Sequence, residues 1–405
     1  MRFQTGSVFV SLWFIGILST PCEAALAQTA DGELSQLRYA QELIAASQDQ
    51  KTYHQAARIL RRLSGSQDAK IRHDAAVCQA ANNLRHGLLA NTRQTYLDLL
   101  AQNPMDADAL ALQAEYERLP LHCLSSYYHS QSDEKRNNKQ AAGITYDSYW
   151  GHNFYLSRDY SQHHLTANGH SASYLASVSE LKRQFAWGSI SGAISSYFKA
   201  NAKSGGRLAL TYEPADSSEL LLEAGRRLHE HAGTVRSGIR ETYQGLTFKH
   251  DLTAKTTFVL GAESAELTDQ NAYREYRAKL IQRLQKRHNY QDALQLTGSS
   301  RHYDHEQISY DAPRRRLEYA AGFSRQWNSA RKSARSTWQM LLGRQRDNEE
   351  RPSFTPAVHL EYRRDFRHHQ NLTIDSTYKR YLHQPADSHR RHESCSLGIR
   401  YAWCW

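Results

Sequence analysis

The sequence predicts an α + β multidomain chain: a short N-terminal α-helical solenoid followed by an antiparallel transmembrane β-barrel of about fourteen strands. Three observations carry that expectation. A short apolar run follows Arg2, near the start of the chain. The last residues, SCSLGIRYAWCW, alternate between an apolar face and a small or charged one. Between these ends the apolar spacing changes from helical to every second residue. Composition is compatible but not decisive: 405 residues, a net charge of +10 and 24 Tyr against 11 Phe. The mean hydropathy of -0.73 argues against a bundle of membrane helices.

Residues 1–27 read as a signal peptide. Val8 to Leu18 forms the apolar core, and Ala25-Leu26-Ala27 places cleavage before Gln28, with cleavage after Ala24 as the alternative. The run is too short to anchor the chain in a membrane. Pro21 precedes Cys22 where a lipoprotein signal differs, so lipidation is not expected. Export makes a nucleic-acid partner unexpected despite the positive charge.

Residues 28–120 carry helical periodicity in five stretches. Leu34, Leu37, Ala40, Leu43 and Ile44 form the first stripe; Tyr53, Ala56, Ala57 and Leu60 form the second. Ala69, Ile71, Ala75, Ala76 and Ala80 form a third, and Leu88, Tyr96, Leu97, Leu99 and Leu100 a fourth that stops at Asn103-Pro104. The fifth runs from Ala107 to Leu119 behind Asp106, a candidate cap. Small Ala on one helix beside Leu or Tyr on the next allows close packing. With Asn103-Pro104 followed by Asp106-Ala107-Asp108-Ala109, the stretch resembles about two degenerate tetratricopeptide repeats. That resemblance implies Tyr53, Ala57, Tyr96 and Pro104 as packing positions, and a groove for a peptide or partner. The alternative is an unrelated stack of helical hairpins.

Residues 121–143 are assigned to a linker and 144–405 to the barrel. Alternation is clear in Leu208-Leu210-Tyr212, Leu317-Tyr319-Ala321-Phe323 and Val358-Leu360-Tyr362, with charged residues between. No run is long enough for a membrane helix, so a membrane-crossing fold here has to be a closed barrel. The fourteen spans include 144–156, 172–187, 273–287 and 392–405; the span near 240 and the stretch 275–285 are ambiguous, and Tyr276 to Leu284 also reads as a helix. If the chain ends in the periplasm, every second connection lies outside. These are expected near 157–171, 201–205, 230–237, 267–272, 304–313, 347–354 and 383–391. The inner connections are expected to be shorter, as barrel topology requires. The final strand, with Tyr401, Trp403 and Trp405 on its apolar face, resembles the C-terminal strand through which outer-membrane barrels meet their assembly machinery. An edge strand of a soluble sandwich is the alternative.

The positive charge is uneven. Residues 121–405 hold 40 Lys/Arg against 29 Asp/Glu, whereas 28–120 hold 10 against 11. Basic residues on outer loops would meet lipopolysaccharide phosphates; lumenal ones would favour an anionic solute or polymer; a mixed solvated surface would select nothing. The candidate contacts are Arg314, Arg315, Arg316, Arg363, Arg390 and Arg391. Cys395 and Cys404 have opposite parity and should not pair with each other. A Cys78–Cys123 bond is allowed in an oxidising compartment but is not established by sequence.

No CxxC, HExxH, GxSxG or P-loop spacing occurs, so no catalytic residue, metal site or cofactor is expected. The overall plan resembles exopolysaccharide export porins of the outer membrane. The nearest likeness is residues 354–403, FTPAVHLEYRRDFRHHQNLTIDSTYKRYLHQPADSHRRHESCSLGIRYAW, with a second over Ala224 to Asn271. Those exporters usually carry more repeats, and several have sixteen strands. A second resemblance is to surface lipoprotein assembly modulators, which join helical repeats to fourteen strands, though their terminal Phe is absent here. Either resemblance implies transport rather than catalysis, with the barrel in the outer membrane and the helical domain in the periplasm. That domain would bind periplasmic or inner-membrane partners, or a chaperone or lipoprotein client. A receptor or scaffold with a plugged barrel is a third reading.

Overall fold

The computed structural model describes residues 30–405 except 47–49, 133–136, 168–169, 202–203, 216, 287–288, 308–312, 330–332, 349–351, 367–368 and 382–392. The expected leader, Arg390 and Arg391 lie outside the described residues.

Five helices come first: α1 (Ala30–Ala46), α2 (Gln50–Leu63), α3 (Ala69–Arg85), α4 (Leu89–Gln102) and α5 (Ala107–Glu117). Each packs on the next, and α3 also touches α1 and α5. Leu37, Ala40, Ala56, Leu60, Leu63 and Ala75 bury one core, in which the alanines let the helix axes approach. Full burial of a Leu such as Leu60 contributes about 1.5–3 kcal/mol. Tyr53 and Ala57 are buried with Leu88, and Tyr96 with Ala80 and Leu112. Pro104 departs from the expected packing role: it is exposed in the turn between α4 and α5, where a residue without an N–H ends one helix. Asp68 and Asp106 cap α3 and α5. The Asp106 carboxylate accepts from the Asp108 and Ala109 amides at 3.1 and 3.0 Å.

The remaining chain is a closed antiparallel barrel of sixteen strands, each paired with its sequence neighbour, and the first paired with the last. They are β1 (His122–Ser132), β2 (Asn138–Gly151), β3 (Phe154–Ala167), β4 (His170–Phe185), β5 (Gly188–Phe198), β6 (Ser204–Ala215), β7 (Ser218–Leu228) and β8 (Arg240–Asp251). The second half comprises β9 (Thr256–Leu267), β10 (Ala272–Lys286), β11 (Tyr290–Tyr303), β12 (Arg315–Asn328), β13 (Ala334–Asp347), β14 (Ser353–Asp365), β15 (Gln370–Arg380) and β16 (Glu393–Cys404). Closure leaves no unpaired edge. A sixth helix, α6 (Ala232–Ser237), lies between β7 and β8.

The count of about fourteen is corrected to sixteen. The assigned linker, 121–143, contains β1 and the start of β2. The expected strand 144–156 merged the end of β2 with the start of β3, and most of the expected outer connection 157–171 is β3 itself. The outward faces of β1 and β3 carry Ser126, Ser130, Arg158, Gln162 and His164, which hide the alternation. The ambiguous stretch 275–285 is strand, within β10.

The two faces of the wall follow the period of two. Ile194 is 70% exposed and Leu208 69%, with Leu222, Leu246, Leu296, Leu342 and Leu360 on the same outward surface. This apolar band is flanked by two aromatic rings. Trp150, Trp187, Trp327, Trp403 and Trp405 lie towards the end where the helices join; Phe198, Tyr276, Tyr319 and Tyr378 lie towards the other. Such girdles mark the two interfaces of a membrane barrel.

Cys123 and Cys404 stand opposite each other across the β1–β16 seam and form a disulfide. This replaces the open Cys78–Cys123 alternative; Cys78 is a free, half-buried thiol in α3. Beside the bridge, His122 and Trp405 exchange both backbone hydrogen bonds, at 3.0 and 2.8 Å.

Candidate functional site

The interior of the barrel is the candidate site. On β4, β6, β7 and β8 the inward positions place Arg207 at 2.8 Å from Glu180 and 3.3 Å from Glu223. Arg227 bonds Glu241 and lies 2.9 Å from Glu263 and 4.1 Å over the Tyr243 ring. The Tyr273 hydroxyl donates to Glu263 at 2.6 Å. Further round, Glu275 joins Arg277 and Arg301 at 2.7 and 2.5 Å, Arg316 joins Asp347 at 2.9 Å, and Arg335 joins Glu361 at 3.2 Å. The inward charges therefore form cross-strand pairs and chains. Each removes most of the local excess of one sign, so a wall that attracts only anions is not what these residues build.

A cavity of about 580 Å³ opens along the β7–β15 side of this interior. Glu263, Glu275, Arg277, Lys279, Glu318 and Lys379 line it, with Thr297, Ser299, Thr355 and Thr377 between them. Carboxylates, ammonium and guanidinium groups, and hydroxyls can exchange hydrogen bonds with a hydroxyl-rich solute without retaining it at one point.

Both mouths carry extra structure. At one, α6 turns inward: Ala232 and Val235 pack with Leu165, Ala167, Tyr174 and Leu228. Glu230 beside it bonds Lys139 and accepts from the Tyr174 hydroxyl, the latter at 3.2 Å. At the other mouth the helical domain docks. The Asn153 side chain accepts from the Ala90 amide and donates to Asn91, both at 2.8 Å. The Tyr155 hydroxyl donates to the Gly87 carbonyl, and His54 of α2 meets inward-facing Glu213 of β6 at 3.2 Å.

Within the helical domain, burial pushes the Tyr53 hydroxyl up to about 12. The Asp106 carboxylate, 2.6 Å away, raises His73 above the usual histidine range. Asp106 is itself held below the carboxylate range by the Ala109 amide first, then by His73. Burial lowers His86. His73, Asp74 and Asp108 bring ligand-type atoms within 4.8 Å of one another. His73 Nε2 is engaged by the carboxylate that caps α5, so the contacts present bind helix to helix.

The sequence-chosen residues separate in space. Arg314 is exposed ahead of β12, Arg315 points outward, and Arg316 points inward to Asp347. Arg363 faces the interior near the helical-domain end, 3.1 Å from Asp365. Tyr401, Trp403 and Trp405 lie on the outward face of β16, 41%, 49% and 49% exposed. The inward pairs and the docked mouth were not foreseen; the alternating charges of β7, β10 and β12 were their visible trace.

No family model matches the chain, and no curated protein matches it. Among solved structures, a bacterial polysaccharide outer membrane secretin superposes with a TM-score of 0.62 at 9% identity, covering 71% of this chain and 99% of that one. CdiB from Acinetobacter baumannii gives 0.47 at 9% identity, covering 70% and 60%. The outer membrane protein OprD from Pseudomonas aeruginosa gives 0.38 at 10%, covering 70% and 92%. The first likeness shows the fold: the chain has the closed barrel of outer-membrane proteins.

Proposed function

We propose that this chain is an outer-membrane export protein that passes a polysaccharide through its barrel, with the helical domain in the periplasm as a recruitment module of tetratricopeptide type. The observation that carries the reading is the interior cavity of about 580 Å³, set among cross-strand charge pairs, with the helical domain docked over one mouth. A polymer delivered to that mouth enters directly beneath the helices. Inward Tyr and paired charges offer hydrogen bonds and ring faces along the wall, and their near balance suits a chain of low charge density. The fold shared with a polysaccharide secretin supports the substrate class. The role is passage, not catalysis. Sixteen strands remove the strand-count argument for a lipoprotein assembly modulator.

Planar-bilayer conductance of the purified full chain tests the proposal. An open pore that neutral oligosaccharides block from the helical-domain side is the expected result. No pore, or a pore indifferent to every oligosaccharide, overturns it. Recovery of the protein in the soluble periplasmic fraction overturns the membrane assignment itself.

A further inference from the structure

The outward surface holds a feature that the export reading does not use. At the end remote from the helical domain, Arg274 of β10, His302 of β11 and Arg315 of β12 are successive partners in the strand register. All three are exposed on the lipid-facing side of the wall. One step down, Arg346 of β13 stands beside Leu317, and one step further Arg344 stands between Tyr319 of β12 and Phe354 of β14. One register step beyond Arg344 towards the middle of the barrel, and three beyond Arg274 and Arg315, come Leu280, Leu296, Ala321 and Leu342. The row therefore rides on the rim of the apolar band, at the level of the Tyr276 and Tyr319 girdle.

Two things make this more than a solvated rim. The carboxylates of the same strand ends, Glu275 and Asp347, are turned inward and engaged by Arg301 and Arg316. Glu266, beside Ala272, is an outward carboxylate at the edge of the row. The corresponding outward register row across β1–β4 is Ser130, Gln140, His164 and Ser173, with no Arg or Lys, so the arginines gather on one side of the barrel. An Arg at the bilayer midplane costs about 2–4 kcal/mol, but at the headgroup level the cost falls towards zero, and a guanidinium can pair with phosphate.

We infer that the outward Arg274–Arg315–Arg344 row binds the phosphates of lipid A in the outer leaflet. A ligand that reaches these arginines and the apolar band below them must carry phosphate and acyl chains together, which free phosphate does not. A lipid A headgroup bears phosphates at both ends of a disaccharide, and so can span Arg274 and Arg315, which stand two strands, about 10 Å, apart. The inference rests on the export reading in one respect, that the end remote from the helices faces outward.

The test uses the full chain purified in detergent, with native mass spectrometry against diphosphoryl lipid A, dephosphorylated lipid A and phosphatidylglycerol. R274Q/R315Q/R344Q should bind diphosphoryl lipid A about tenfold or more weakly than wild type, since each basic group near a charged leaflet contributes roughly 1 kcal/mol. R183Q/R364Q, neutralised at the opposite rim, should bind as wild type does, and dephosphorylated lipid A should not distinguish the proteins. R274K/R315K/R344K keeps the charge and should restore much of the binding, separating phosphate contact from misfolding. Equal lipid A binding by wild type and the Gln variant overturns the inference. Loss confined to phosphatidylglycerol overturns it too, by placing this rim in the inner leaflet. Conductance of the same preparations is read separately. Its absence in all of them would sink the export reading and leave the lipid result standing.

Discussion

At the scale of single residues, Cys123 and Cys404 fasten the one seam of the barrel whose strands are remote in sequence, 281 residues apart. Every other strand pair is joined by a local connection. A crosslink between distant positions constrains the unfolded chain, and its loss typically costs about 2–4 kcal/mol. The double variant Cys123→Ser/Cys404→Ser should therefore lose its heat-resistant fast band on semi-native gels at a lower temperature. Reductant should shift wild type towards the variant and leave the variant unmoved; a wild type indifferent to reductant would deny the bond a role. In the helical domain, His73 has a folded-state pKa above its ordinary 6.5, because Asp106 accepts its hydrogen bond. Its contribution is fully present below pH 6.5 and is lost as pH rises through the raised value. Half-buried His86, shifted down, acts in the opposite sense, so wild type has to be compared with His73→Gln. The helix-melting difference between them, followed at 222 nm, should be larger at pH 6 than at pH 8. A difference that grows towards pH 8 would contradict the assigned pairing.

At the scale of elements, α6 packs against β3 and β4 at the mouth remote from the helical domain. Ala232 and Val235 pack with inward-facing Leu165 and Tyr174 and with Leu228 at the end of β7, and the Glu230 bonds to Lys139 and Tyr174 hold its base. Val235→Asp places a charge in that contact without a partner, at a cost of a few kcal/mol. Since α6 adds no strand pairing, the barrel should remain folded while conductance rises; unchanged conductance would mean that α6 does not narrow the path. The sequence made some elements legible and hid others. The expected connection at 230–237 is where α6 lies, and β12 was plain because Leu317, Tyr319, Ala321 and Phe323 share its outward face. The strand β1 was not, because Ser126, Ser130 and Ser132 occupy the same face there. Parity showed that Cys404 and Cys395 face opposite ways. It could not supply Cys123 as the partner of Cys404, because that neighbour exists only once the sheet closes. The inward ion pairs were hidden likewise: Arg227 and Glu263 lie on strands that are not adjacent, and only curvature brings them together.

At the scale of the whole molecule, two structures of different physics share one chain. The barrel satisfies its backbone through a closed ring of strand pairs and presents an apolar belt, and no helix takes part in that ring. The helices have their own cores, around Leu60 and around Tyr96. Polar contacts join them: Asn153 with Ala90 and Asn91, Tyr155 with Gly87, His54 with Glu213, and Tyr116 of α5 with Tyr149 of β2. Hydrogen bonds of this kind contribute about 1 kcal/mol each, so the docking is weak enough to open under a partner's pull. A chain beginning at residue 120, behind a signal peptide, should still insert and keep its heat-resistant mobility. Its conductance should exceed that of the full chain, because Glu213 and the mouth around it are uncovered. Asn153→Ala/Tyr155→Phe, which removes two of these contacts, should move the full chain part of the way to the same conductance. It should also quicken proteolysis between α5 and β1. A barrel that aggregates without its helices would show that the domains fold as one. Equal conductance in all three proteins would show that the docked helices leave the path open, and that recruitment rather than gating is their whole contribution.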